Sequence, residues 1–274
     1  MPLAQELHVA CVQLCSTHNV EENLETIAHQ LKVHQQQHFQ LVVLPENATL
    51  ITDNPVLKQQ AAQKQSYHKV FSFFSQQAKL YNTWLVAGSL LIQDESNPHK
   101  FFNHCPIFSP NGDLVAHYNK IHLFDADLTT EAWQESALIT AGSKPSAVSL
   151  DQNWKVGLSI CYDLRFPELY RHYSQLGCNI MTVPAAFTVP TGKAHWQTLL
   201  QARAIENQSF ILAAGQTGSH HDGRQTYGHS MIIDPWGKVI SAITEGEGII
   251  SAYLSLSQRQ QIQQRMPVLK HRRL

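Results

Sequence analysis

The run Lys155-Val156-Gly157-Leu158-Ser159-Ile160-Cys161-Tyr162-Asp163-Leu164-Arg165-Phe166-Pro167-Glu168 holds three signals in fourteen residues. Lys155 to Ile160 reads as a buried strand, Cys161 stands where that strand ends, and Pro167 suits the first turn of a helix. The carboxyl ends of strands are where α/β folds assemble sites, because rigid strands feed loops that converge there. A thiol near a helix start and a cation has its thiolate favoured, which suits a nucleophile. Read alone, Cys161 is either such a nucleophile or a small buried apolar residue.

Two further strand-like runs end in a reactive side chain. Leu41-Val42-Val43-Leu44, apolar throughout as expected of a strand covered on both faces, leads into Pro45-Glu46. Ala116-His117-Tyr118-Asn119 leads into Lys120. By themselves Glu46 is a partly buried base or a loop acid, and Lys120 an edge residue or a placed cation. Around them strands and helices alternate. Strands are expected at 7–14, 41–44, 83–92, 155–160, 180–184, 210–215, 230–234 and 239–243. Helices are expected at 20–36, capped by Asn19, and at 57–81, 167–175 and 193–207. Ser-Pro-Asn-Gly-Asp at 109–113 joins 101–109 to 114–123 as a hairpin. Hairpins among helices point to a sheet sandwich covered by helices, in one domain.

Composition narrows the function classes. The chain has 274 residues, 20 basic against 21 acidic, and a formal net charge of −1. That balance speaks against a nucleic-acid partner. No apolar run approaches the 18 or so residues of a membrane span, and the opening Met1 to Glu6 lacks the pattern of a signal peptide. Five cysteines without regular spacing form no disulfide framework, and Cys11 and Cys15 lack a second ligand pair for a metal. These features predict a cytoplasmic, soluble protein. The chain carries no Gly-x-Ser-x-Gly, His-Glu-x-x-His, Gly-x-Gly-x-x-Gly or phosphate-loop motif. His122, His195, His220, His221 and His229 are the better-placed candidates for a histidine partner to Cys161.

Taken together and in order, the three runs resemble the nitrilase (carbon–nitrogen hydrolase) superfamily. Leu44-Pro45-Glu46 is similar to its glutamate motif, Tyr118 to Asp125 to its lysine motif, and Ile160 to Glu168 to its cysteine motif. The likeness runs over about residues 6–272 and implies a single-domain, four-layer α-β-β-α sandwich. Cys-Tyr-Asp-Leu-Arg-Phe-Pro-Glu looks like the Nit branch, whose members are amidases. Two activities of that branch are open: hydrolysis of the amide of deaminated glutathione, a metabolite repair, and ω-amidase action on α-ketoglutaramate or α-ketosuccinamate. Residues 216–227 look more like the first. A non-catalytic binding member and a nitrile hydrolase are the rival classes, and the intact Glu46, Lys120 and Cys161 speak against the former.

The resemblance also implies roles. Cys161 attacks the amide carbon, Glu46 carries protons, and Lys120 with the backbone N–H of Tyr162 binds the oxyanion. An acid product and ammonia leave through a thioester, without a cofactor or metal. Glu135 matches the family's second glutamate, which orients Lys120 and helps position substrate or water, alone or sharing the base role. A carboxylate-bearing substrate calls for a cation near the acyl pocket, and Arg165 is the candidate unless it pairs with Glu168 or Asp163. Phe187 and Thr191 would line the pocket and Pro190 would stiffen a loop beside it; on the residues alone, His220, His221 and Arg224 either reach a far carboxylate or belong to a mere surface loop. A homodimer or higher homo-oligomer is expected, with the C-terminal tail from about 255 at the interface.

Overall fold

In the computed structural model, residues 5–128 and 131–273 are described; Met1 to Ala4 of the N-terminal reading lie outside them. Two sheets dominate. One is built from Glu6–Gln13, Leu41–Val43, Trp84–Val86, Leu90–Gln93, Phe101–Phe108, Leu114–Asn119 and Gly248–Ser255. The other is built from Ser146–Ser149, Lys155–Leu158, Ile180–Thr182, Phe210–Ala213, Ser230–Ile233 and Val239–Ile243. The central strands of each run parallel, and the edges are antiparallel.

Strand alternation assigns the layers. Leu7, Val9 and Cys11, with Leu41, Val43 and Val86, face the second sheet and share one core with Val148, Val156 and Ile180. The intervening Ala10, Val12, Val42 and Leu85 face outward. They meet Leu24, Ile27 and Leu31 of the helix Val20–Val33 and Val70, Phe74 and Ala78 of the helix Lys64–Leu80. Beyond the second sheet, Leu169, Tyr170 and Tyr173 of the helix Pro167–Gln175 and Trp196, Leu200 and Ala204 of the helix Val189–Asn207 join the core. The layers are therefore helix, sheet, sheet, helix, as the sequence implies.

Most expected elements fall within a few residues of their places. Asn19 caps its helix by accepting from Glu21 and Glu22 N–H at 3.0 and 3.4 Å. The 109–113 turn closes on Ser109, whose Oγ accepts from Asn111 and Asp113 N–H. Two expectations are corrected. The helix expected at 57–81 is two helices, Pro55–Ala62 and Lys64–Leu80, parted at Gln63; its extended backbone (ψ 147°) ends one, and its carbonyl accepts from Ser66 and Tyr67 N–H at the start of the next. Pro190 stands in the first turn of the helix Val189–Asn207, where its missing N–H is not needed, rather than in a loop.

The strand expected at 83–92 is also broken, and the break serves the site. Gly88 lies at φ +65°, and a Cβ there would stand 2.0 Å from the Pro45 carbonyl oxygen. Only glycine fits so close an approach in that conformation. The same segment cradles residues 45–48: Ser89 N–H donates to Pro45 O, Ser89 Oγ accepts from Asn47 N–H, and Ala48 N–H donates to Ser89 O. Gly88→Ala is therefore expected to destabilise the protein by about 2 kcal/mol or more and to slow turnover by displacing Glu46. Chemical denaturation and a parallel rate assay check both, and an unchanged midpoint with unchanged rate contradicts the assignment.

Candidate active site

Glu46, Asn103, Lys120 and Cys161 arrive from different strands of the two sheets and meet at the base of a cavity of about 620 Å³. Glu46 and Lys120 are buried, at 3% and 2% exposure. Lys120 Nζ donates to Glu46 Oε1 at 3.0 Å and to Glu135 Oε2 and Oε1 at 2.8 and 3.1 Å. Asn103 Nδ2 donates to Glu46 Oε1 at 2.9 Å and to Glu135 Oε1 at 3.3 Å. The other Glu46 oxygen accepts from Ala186 N–H at 2.9 Å, and Glu135 Oε2 accepts from Phe124 N–H at 2.7 Å. Burial works against the ammonium of Lys120, but Glu135 and Glu46 outweigh it, so its pKa lies well above the ordinary value.

Cys161 opens the tight turn Cys161–Arg165 in the left-handed region, at φ +49°. A non-glycine residue there is strained and needs its surroundings to hold it. Its N–H donates to Pro184 O at 2.8 Å. The buried Asp163 secures the rest: its carboxylate accepts from Ile160 N–H at 2.8 Å, Tyr118 O–H at 2.8 Å and His122 N–H at 3.1 Å. Tyr118 and His122 flank Lys120 in sequence, so Asp163 couples the lysine segment to the cysteine turn. Arg203 Nε and Nη2 donate to Leu164 O from the outer helix at 3.0 and 2.7 Å.

The expectation of a favoured thiolate is corrected. Burial first, then the Glu46 carboxylate, push the Cys161 thiol well above its ordinary pKa, and Lys120 only partly opposes them. The α-helix that follows begins six residues later, at Pro167, and is not among the influences on the thiol. Two carboxylates against one ammonium leave the site net negative before the thiol ionises. At rest Cys161 is a thiol, so any attack by its sulfur requires that the proton first pass to a neighbour.

The remaining candidates divide. Tyr162, Arg165, Phe187, Thr191, Glu135 and Arg224 all line the cavity. Arg165 pairs with neither Glu168 nor Asp163 among the described residues; its guanidinium donates to His195 Nδ1 at 3.3 Å and lies 5.7 and 5.8 Å from the Tyr162 and Phe187 ring centres. Thr191 Oγ1 bonds Thr188 Oγ1 at 2.8 Å in the first turn of its helix. None of the five histidines lines the cavity. His122 stacks on Phe166 and bonds Asp163, His220 lies between Ser16 O and Thr226 Oγ1, and His221 stacks on His18. His229 stacks on Tyr227 and bonds its carbonyl, so these rings are structural. Asn103 was missed by sequence reasoning; its only signal is an amide beside His104 in the mostly apolar Phe101–Phe108, and Asp163 likewise gives no sign of its bracing role.

Comparison with known proteins identifies the family and the fold. The carbon–nitrogen hydrolase family profile matches residues 8–264. Deaminated glutathione amidase of Synechocystis sp. (strain PCC 6803 / GT-S) is 40% identical over 266 residues, covering 96% of this chain and 97% of the relative. The enzyme of that name from Mus musculus is 38% identical, over 97% and 83% of the two chains. The crystal structure of Saccharomyces cerevisiae Nit3, a member of branch 10 of the nitrilase superfamily, superposes with a TM-score of 0.88 at 29% identity, covering 99% and 98% of the two chains. That of the Caenorhabditis elegans NitFhit protein superposes with a TM-score of 0.90 at 35% identity, covering 98% of this chain and 65% of the other. The chain belongs to the carbon–nitrogen hydrolase family and has its nitrilase fold.

Proposed function

We propose that the protein is an amidase acting on deaminated glutathione, with Cys161 as nucleophile, Glu46 as proton carrier and Lys120 as oxyanion partner. The observation that carries it is the buried Glu46–Lys120–Glu135 cluster against Cys161 at the base of one cavity. The substrate rests on relatives of that name at 35–40% identity over nearly the whole chain.

The thiol gives its proton to Glu46 as sulfur attacks the amide carbon, so no net charge enters the buried site. The oxyanion that forms meets the Lys120 ammonium and the Tyr162 N–H. Glu46 returns its proton to the amide nitrogen, the C–N bond breaks, and a thioester remains on Cys161. Water then loses a proton to Glu46 and attacks the thioester; the sulfur leaves and regains a proton from Glu46. Glu135 holds Lys120 in place, Arg165 grips the carboxylate of the acyl half, and Phe187 and Thr191 shape that end of the pocket. No cofactor takes part in these steps.

Atom balance corrects the expectation of ammonia for this substrate. The scissile nitrogen of deaminated glutathione belongs to cysteinylglycine, so the products are α-ketoglutarate and that dipeptide. Ammonia leaves only from α-ketoglutaramate, the ω-amidase substrate with the same acyl half. The five free thiols suit a reducing compartment such as the cytoplasm, and no helix among the described residues is long and apolar enough to cross a membrane. A homodimer or higher homo-oligomer is part of this reading, on the family resemblance alone. The C-terminal segment from about 255 is assigned to the same interface.

Release of α-ketoglutarate from both substrates tests the reading. Deaminated glutathione is expected to be preferred by about tenfold or more in kcat/KM; the reverse preference makes the protein an ω-amidase. Cys161→Ala and Glu46→Gln are each expected to keep the fold and lose about 10³-fold or more in kcat, and near-normal turnover by either overturns its role. Light scattering is expected to find at least a dimer, and a monomer at micromolar concentration contradicts that assignment.

A further inference from the structure

Away from Cys161, the same cavity is lined by two cations that the hydrolytic steps do not use. Arg224 lies on the turn between the short strands Thr217–Ser219 and Gln225–Tyr227, and Lys58 on the helix Pro55–Ala62. The ribbon carrying Arg224 is tied to the pocket wall, because Tyr227 N–H donates to Phe187 O at 2.9 Å. The Arg224 side chain is only 14% exposed and packs 4.8 Å from the Trp133 ring centre. Its Nε is buried and has no hydrogen-bond partner among the described residues.

Of the present counter-ions Asp53 is poorly held, whereas the Asp222 side chain is only 16% exposed. Asp53 pairs closely with Arg224 and lies 3.8 Å from Lys58, yet its side chain is 63% exposed. Asp222 stands 3.8 Å from Arg224 and is already engaged by the Arg224 backbone N–H. An exposed ion pair contributes little, whereas a guanidinium with a free buried N–H gains most from a carboxylate that brings a second oxygen. Burial, set against the pull of Asp53 and reinforced by Arg224, lowers the pKa of Lys58, as expected of a cation with too little negative charge around it.

We propose that Arg224 and Lys58 form a second carboxylate subsite that holds the terminal carboxylate of a peptide-like leaving group, displacing Asp53. This rests on the amidase reading above and deepens it. Deaminated glutathione carries two carboxylates, one on the acyl half and one on its terminal glycine, and α-ketoglutaramate carries only the first. Arg165 serves the carboxylate common to both; Arg224 and Lys58 serve the one that distinguishes them. Because the held group departs with the amine, the subsite acts on selection of the substrate and not on the thioester.

The test compares deaminated glutathione with its C-terminal carboxamide, which has the same shape without the charge, in wild type, Arg224→Gln, Lys58→Gln and Asp53→Asn. Wild type is expected to prefer the free acid by about tenfold or more in kcat/KM, in line with a charge-assisted hydrogen bond. That preference is expected to collapse towards unity in Arg224→Gln, to shrink in Lys58→Gln, and to grow in Asp53→Asn through a lower KM for the acid. A wild type that turns over both compounds equally overturns the subsite, and this arm needs no variant to fold. A preference that survives Arg224→Gln overturns the role of that residue. Turnover of α-ketoglutaramate with none of deaminated glutathione overturns the deaminated glutathione reading, leaving an ω-amidase, and the subsite falls with it.

Discussion

An ammonium buried between two carboxylates is the constraint around which the site is arranged. Lys120 cannot stay charged in that position without Glu46 and Glu135, and neither carboxylate is well placed there without it. Removing one partner of such a pair typically costs about 3–5 kcal/mol, because the survivor is left buried and unpaired. Asn103 donates to both acids and Ala186 N–H to Glu46, so the cluster is satisfied from several strands at once. The geometry is thus fixed before any substrate arrives, which is what electrostatic preorganisation requires.

The same cluster sets the state of the nucleophile. With two acids and one base already in place, ionising Cys161 by loss of its proton to solvent would add charge to a buried, net-negative site. Moving the proton to Glu46 adds none. The strained backbone at Cys161 then has a purpose: it carries the thiol to the carboxylate, while Asp163 ties the turn to the residues flanking Lys120. Cys161, Glu46 and Lys120, the proposed nucleophile, proton carrier and oxyanion partner, are tied together through backbone and side-chain contacts, not merely placed in one cavity.

Much of this was legible in the residues, for identifiable reasons. Apolar runs ending in Glu46 and Cys161 mark parallel strands, and the order of the three motifs identifies the family. The Asn19 cap and the helix start at Pro167 are local chemistry, readable from neighbours. What could not be read depends on contacts distant in sequence. Asn103 matters through Glu46, 57 residues away, and Asp163 through Tyr118, 45 residues away. Nothing near Cys161 in sequence reveals that Glu46 lies against it, so the local cues of helix start and cation point to a thiolate where burial and the Glu46 carboxylate favour the thiol. The histidines misled for the converse reason: their types invite a catalytic role, and only the folded chain shows them spent on backbone carbonyls, Asp163 and neighbouring rings.

The central claim is that the resting nucleophile is a neutral thiol whose proton Glu46 removes. The ultraviolet thiolate absorbance of wild type minus that of Cys161→Ala, followed from neutral pH upwards, tests it most directly. A difference that stays near zero through the ordinary thiol titration range is the predicted result. A thiolate signal belonging to Cys161 already present at neutral pH would contradict it and return the site to a preformed thiolate–lysine pair.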